Sequence, residues 1–125
     1  IPNFYHEHIC RLTNWPDALN RSFKHGNTAI YTQMQGPSEF GIKGDANLKF
    51  WDVKADLHKI TVPTLSIGAT YDTMDPEQMK FISEEVQKGR FLLCPNGSHL
   101  SQFDDQKVYF EGLIKFIKDV DTGTF

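Results

Sequence analysis

Two side chains in this sequence have the types and setting for proton-transfer chemistry. Asp72 lies in Tyr71-Asp72-Thr73-Met74-Asp75-Pro76 and His99 in Pro95-Asn96-Gly97-Ser98-His99, 27 residues further on. A carboxylate against one imidazole nitrogen fixes the tautomer and stabilises the imidazolium. The other nitrogen can then take a proton from a nucleophile. Each residue also has an ordinary reading, Asp72 as the closure of a turn and His99 as a loop histidine beside glycine. No serine in the chain is placed for the third role. Gly36-Pro37-Ser38-Glu39-Phe40 begins like a G-x-S-x-G turn, but its fifth residue is Phe40 and no strand signal leads into it. Ser66 falls inside an apolar run, and Ser98 and Ser101 flank His99 too closely. The nucleophile is therefore expected outside these residues, and the isolated chain is expected to be inactive. His6-Glu7-His8 looks like a metal pair, but side chains two apart do not share a helix face and no third ligand follows at a suitable spacing. Neither a metal nor a cofactor is expected.

The pairing of Asp72 with His99 depends on the elements that carry them. Val62 to Ala69 is an apolar run bounded by Pro63 and Gly68, which reads as a buried parallel strand. Asp75-Pro76-Glu77 opens a helix, with Asp75 as N-cap and Pro76 in its first position. Met79, Phe81, Ile82 and Val86 form the helix's apolar face, and Gly89 ends it. Arg90 to Cys94 reads as a second strand. Tyr109, Phe110, Leu113, Ile114, Phe116 and Ile117 recur at helical spacing, with Asp104 and Asp105 in the favourable first turn. The tail from Asp121 to Phe125 is expected to fray. Strand, loop, helix, strand, loop, helix makes an α/β unit with parallel strands, and ligands bind beyond the carboxyl ends of such strands. Asp72 and His99 each follow a strand at that edge.

Residues 1–59 are aromatic-rich and less regular. Phe4 to Leu12 reads as the end of a helix. Asn14 is a candidate N-cap for a second helix, with Pro16 in its first turn and His25-Gly26-Asn27 as its stop. Ala29 to Met34 suits either a short helix or a strand, Phe40 to Leu48 a loop or edge strand, and Ala55 to Ile60 a short helical stretch. The composition shift divides the chain into residues 1–59 and 60–125.

Bulk properties narrow the function. The chain has 125 residues, 39% hydrophobic and 13% aromatic, enough for one core and unlike a disordered segment. A net charge of −3 without a basic run disfavours nucleic acid. No apolar run approaches the roughly 20 residues that span a bilayer, so no membrane association is expected. No signal peptide is visible, and Ile1-Pro2-Asn3 reads as internal sequence. Cys10 and Cys94 stand among apolar neighbours and read as reduced, buried thiols. The cytoplasm is the expected compartment.

In combination these segments resemble a known family. Val62-Pro63-Thr64-Leu65, Gly68 and Tyr71 to Pro76 look like the last-but-one strand and acid loop of proline iminopeptidases. Pro95 to His99 resembles their histidine loop, and Asp104-Asp105-Gln106 with Tyr109-Phe110 the start of their last helix. Gln35-Gly36-Pro37-Ser38-Glu39-Phe40, Gly44 and Trp51-Asp52 resemble the end of their cap domain. The resemblance implies the C-terminal portion of an α/β-hydrolase fold: the end of a helical cap in residues 1–59, then the last two parallel strands and their helices in 60–125. It implies a serine-type aminopeptidase that releases N-terminal proline, with Asp72 and His99 in a Ser-Asp-His triad. It also implies that Glu39 binds the free amino terminus of a small peptide or amide substrate, because a buried ammonium needs a carboxylate nearby. A second family acid often follows the triad aspartate directly, and here Thr73 stands in that position. An esterase, an epoxide or C–C hydrolase of the same fold, and a non-catalytic binding module are the alternatives. Two strands of a larger sheet would leave an edge bare, so either self-association or pairing with a missing N-terminal part is expected.

Overall fold

The computed structural model describes residues 2–37, 42 and 44–125. These group into two compact units, residues 1–14 with 54–125, and residues 15–53.

The larger unit is built around a parallel pair of strands, β1 (Thr64–Ala69) and β2 (Gly89–Cys94), in register from Thr64 opposite Gly89 to Ala69 opposite Cys94. Among the described residues no third strand joins them. The helix between them, α4 (Pro76–Glu85), starts as its sequence dictates: Asp75 Oδ1 accepts from Glu77 N–H at 2.9 Å, and Pro76 takes the position where a missing N–H costs nothing. This helix ends earlier than Gly89, at Glu85, and Gly89 instead begins β2. A Cβ at Gly89 would run into the Ser83 carbonyl oxygen, so only glycine lets β2 start this close to the end of α4.

Neighbouring residues of a strand face opposite ways, and the two helices use both faces. A Cβ on Gly68 would meet Pro76 and Phe91, which places α4 on that face. A Cβ on Gly112 would meet Leu92, which places α6 (Gln106–Asp121) on the other. The last helical segment is broken where one helix was expected. A short α5 (Ser101–Asp104) precedes α6, and Asp105 separates them with a non-helical backbone at φ −133° and ψ 45°. The break follows from the carboxylates of Asp104 and Asp105, which turn back to the preceding loop rather than serving a helix start.

The tail does not fray as expected. Thr124 N–H donates to the Asp119 carbonyl at 2.8 Å, and Phe125 stacks edge-on to Phe116 at 5.6 Å. Arg90 lies 4.9 Å from the Phe125 ring and 2.6 Å from Asp119, which also takes Lys115 Nζ at 2.6 Å. The hydrogen bonds from Lys115 and Arg90 hold the Asp119 carboxyl below the ordinary range.

At the amino end, α1 (Pro2–Phe4) runs into a π-helical turn over Tyr5–Ile9, closed by Cys10 N–H on the Tyr5 carbonyl at 3.0 Å. Residues 54–59 form a 3₁₀ turn (Lys54–Lys59), and Gln87 N–H bonds the Ile60 carbonyl that follows it.

The smaller unit holds α2 (Asp17–Lys24) and α3 (Thr28–Gln35). Pro16, not Asn14, occupies the N-cap of α2, and its carbonyl accepts from Leu19 and Asn20. The ambiguous stretch from Ala29 to Met34 is helical, because Asn27 Oδ1 caps it by accepting Ile30 N–H at 3.1 Å. Asn47 and Leu48 then bond back to the carbonyls of Gln33 and Met34.

Candidate active site

The loops after β1 and β2 meet at the carboxyl ends of their strands, and two backbone bonds join them there. Thr70 N–H donates to the Cys94 carbonyl at 3.2 Å, and Tyr71 N–H to the Gly97 carbonyl at 3.0 Å. Parallel pairing in register therefore delivers the two loops to the same place. Asp72 Oδ1 and His99 Nδ1 lie 2.9 Å apart. A carboxylate only accepts, so Nδ1 carries a proton, and in the neutral form of the imidazole the lone pair then lies on Nε2. The Asp72 side chain is 11% exposed, while that of His99 is 41% exposed, so the acid is sheltered and the imidazole faces outward.

Asp72 is held from its own loop as well. Its Oδ1 also accepts from Met74 N–H at 3.0 Å and from the Thr73 hydroxyl at 3.2 Å. Burial alone would push this carboxyl up. The hydrogen bond from His99 opposes that, with the Met74 N–H, the histidine's charge and the Thr73 hydroxyl adding to it, and the balance lies below the ordinary carboxylate value. Asp72 is thus built to stay ionised beside His99. Thr73 turns its hydroxyl to Asp72.

The histidine loop is gripped by two carboxylates whose role the sequence did not disclose. Asp104 Oδ1 accepts from Ser98 N–H at 3.0 Å, and Oδ2 accepts from the Ser98 hydroxyl and, at 2.8 Å, from Arg11 N–H. Asp105 Oδ2 accepts from Asn96 N–H at 3.0 Å. Ser98 is completely buried. Gly97 leaves no room for a side chain: a Cβ there would lie 2.7 Å from Ser101 Cβ and 3.0 Å from Asp105 Cβ.

The segment from His8 to Arg11 lies against both loops. The His8 and Ile9 carbonyls accept from His99 N–H at 3.0 Å and Leu100 N–H at 2.9 Å. His8 Nδ1 donates to the Tyr71 carbonyl at 2.8 Å, and the Arg11 guanidinium sits 3.6 Å from the centre of the Tyr71 ring. His6 and His8 serve separate partners, since His6 Nδ1 faces the Leu12 carbonyl at 3.3 Å. Only the doublet Asp104-Asp105, just after a glycine-containing loop, could have signalled any of this from sequence. Glu39 lies outside the described residues.

Curated proteins were found that match the chain from end to end. Relatives from Elizabethkingia meningoseptica and Flavobacterium johnsoniae are 64% and 63% identical over 100% and 96% of it. Both are proline iminopeptidases. The resemblance read from the acid and histidine loops therefore holds along the whole sequence. A more distant proline iminopeptidase, from Saccharolobus solfataricus, is 35% identical over 94% of the chain. The chain spans only about 40% of the length of these relatives: 42%, 40% and 37% in turn. No family model matches. Among solved structures, VinJ superposes with a TM-score of 0.84 at 28% identity, over 95% of this chain and 40% of that one. The proline iminopeptidase of Mycobacterium smegmatis superposes with a TM-score of 0.86 at 24% identity, over 99% and 42%. The fold is that of the C-terminal portion of an α/β-hydrolase.

Proposed function

We propose that this chain supplies the acid and the histidine of a Ser-Asp-His triad in an aminopeptidase that releases N-terminal proline. The 2.9 Å contact between Asp72 and His99 carries the reading. In this scheme His99 Nε2 removes the proton of a serine hydroxyl as it attacks the scissile carbonyl, then returns it to the leaving amine. Asp72 keeps the imidazole in the tautomer that puts the lone pair on Nε2 and stabilises the imidazolium. The serine belongs to sequence outside these residues, so the chain alone forms no acyl-enzyme.

Glu39 is proposed to bind the substrate's free amino terminus. Residues 1–59 are assigned to the end of a cap and the return to the core, and 60–125 to the core itself. Their partner is the rest of the same protein. The apolar stripe of α6 supports this, since Phe110, Ile114 and Ile117 remain 40%, 48% and 48% exposed and need a cover. The isolated chain is proposed either to self-associate through the bare edge of its strand pair or to depend on that missing part. No helix among the described residues is long and apolar enough to cross a membrane. The thiols of Cys10 and Cys94 are both buried and form no disulfide, which suits the cytoplasm.

A substrate panel tests the specificity. The full-length protein is expected to hydrolyse a prolyl chromogenic amide, and to lose that activity when the proline nitrogen is acylated. Hydrolysis of simple esters with no prolyl amide turnover would assign it to the esterase branch of the fold. Turnover of neither would leave a binding role.

A further inference from the structure

We propose that His8 is a positioning residue for the Asp72–His99 pair, an inference that rests on the catalytic reading above. His8 touches both halves of the pair from one side. Its carbonyl accepts the backbone N–H of His99 itself at 3.0 Å, and its ring Nδ1 donates to the carbonyl of Tyr71, the residue before Asp72, at 2.8 Å. A carbonyl only accepts, so the His8 proton is fixed on Nδ1. One residue thus sets where the acid loop stands relative to the histidine backbone.

The neighbouring residues keep His8 in place. Ile9 binds Leu100 through its carbonyl, and Arg11 binds Asp104 through its N–H. Asp104 in turn grips Ser98, the residue before His99. The Arg11 guanidinium covers the Tyr71 ring from the same segment. The π-helical turn over Tyr5–Ile9 delivers His8 to this spot, and π turns concentrate where a side chain must be re-aimed at a functional site. The Phe4 ring, 4.7 Å away and tilted by 49°, and the Glu7 carboxylate, 3.8 Å from Nε2, flank the imidazole. The bond from Nδ1 to the Tyr71 carbonyl ties the ring to the acid loop. A triad tolerates little drift: a displacement of about 1 Å can cost a factor of about 100 in rate.

The test uses the full-length protein with three variants, His8→Ala, His8→Asn and His8→Gln. The asparagine amide nitrogen overlays Nδ1 and keeps the donor to Tyr71, whereas glutamine's longer amide does not. The expected result is a fall in kcat of about 10- to 100-fold for alanine and glutamine with KM nearly unchanged, and recovery to within about threefold for asparagine. Equal kcat in all three and wild type would overturn the proposal, as would asparagine being as slow as alanine. Nitrogen-15 NMR of the His99 ring reads the same effect without turnover. His8→Ala should weaken the Nδ1–H bond and speed its exchange, while His8→Asn should not. An unchanged His99 signal in His8→Ala would overturn the proposal. A wild type that fails on the prolyl amide but shows the NMR difference would instead count against the proposed function alone.

Discussion

Replacing Asp104 by alanine should destabilise the protein far more than an exposed acid would. Its carboxylate accepts three hydrogen bonds: Ser98 N–H, the Ser98 hydroxyl and Arg11 N–H. Ser98 is completely buried, so its backbone N–H would lose its partner with no water to replace it. A buried donor left unsatisfied costs about 1–3 kcal/mol. The hydroxyl can rotate towards another acceptor and adds about 1 kcal/mol, and the Arg11 N–H, nearer solvent, about 1 kcal/mol more. The expected loss is about 3–5 kcal/mol, a large share of the roughly 5–15 kcal/mol that keeps a domain folded. Asp105→Ala removes a single bond, to Asn96 N–H, and should cost about 1–2 kcal/mol. Urea denaturation of the full-length protein and both variants measures the difference as a shift in midpoint at constant slope. The variant should also lose activity before it unfolds, because Ser98 carries the backbone of His99. A loss under about 1 kcal/mol for Asp104→Ala, or one equal to that of Asp105→Ala, would refute this account of the histidine loop.

Three further outcomes are expected. Gly97→Ala should cost about 1–3 kcal/mol and lower kcat, since its new methyl group meets the Cβ atoms of Ser101 and Asp105, which cannot rotate away; a neutral variant by thermal melting would contradict the packing. The Asp72 carboxyl lies below its ordinary value of 3.8, so its bond to His99 contributes stability above that pH and loses it as pH falls through the lower, folded-state value. Acid titration of wild type against Asp72→Asn should therefore show part of the acid-limb slope missing in the variant, and identical slopes would count against it. Arg90→Ala should release the Phe125 tail, seen as faster hydrogen exchange at Thr124; unchanged exchange would mean that Phe116 and Asp119 hold the tail without it.

The parts of the fold legible in the sequence were those governed by local rules. The run from Val62 to Ala69 could be read as a parallel strand because proline and glycine bound it, although β1 begins only at Thr64, is partly buried and leaves Val62 62% exposed. Asp75-Pro76-Glu77 announced α4 because capping acts within three residues. The approach of Asp72 to His99 was legible one level higher, since parallel strands in one sheet end at the same edge. His8 was not legible, because its bond to Tyr71 spans 63 residues and arises from a π-helical turn that no spacing rule announces. The break at Asp105 was hidden for a similar reason. Asp104 and Asp105 suit a helix start by local electrostatics, yet their carboxylates are taken by Ser98, Arg11 and Asn96. The stretch from Ala29 to Met34 stayed ambiguous because its short apolar pattern fits both periods, and the Asn27 cap outside it settles the matter. The apolar stripe of α6 was read correctly as a stripe, but among the described residues Phe110, Ile114 and Ile117 stay partly exposed.

The central claim is that Asp72 and His99 act together on a serine supplied by the rest of the protein. Prolyl amide hydrolysis by the full-length protein, by Asp72→Ala, by His99→Ala and by the double variant tests it most directly. The account predicts a loss of at least about 1,000-fold in kcat for His99→Ala, a large loss for Asp72→Ala, and little further loss when the two are combined, because triad members act as a unit. Losses that multiply, or a His99→Ala enzyme with near-normal turnover, would contradict it.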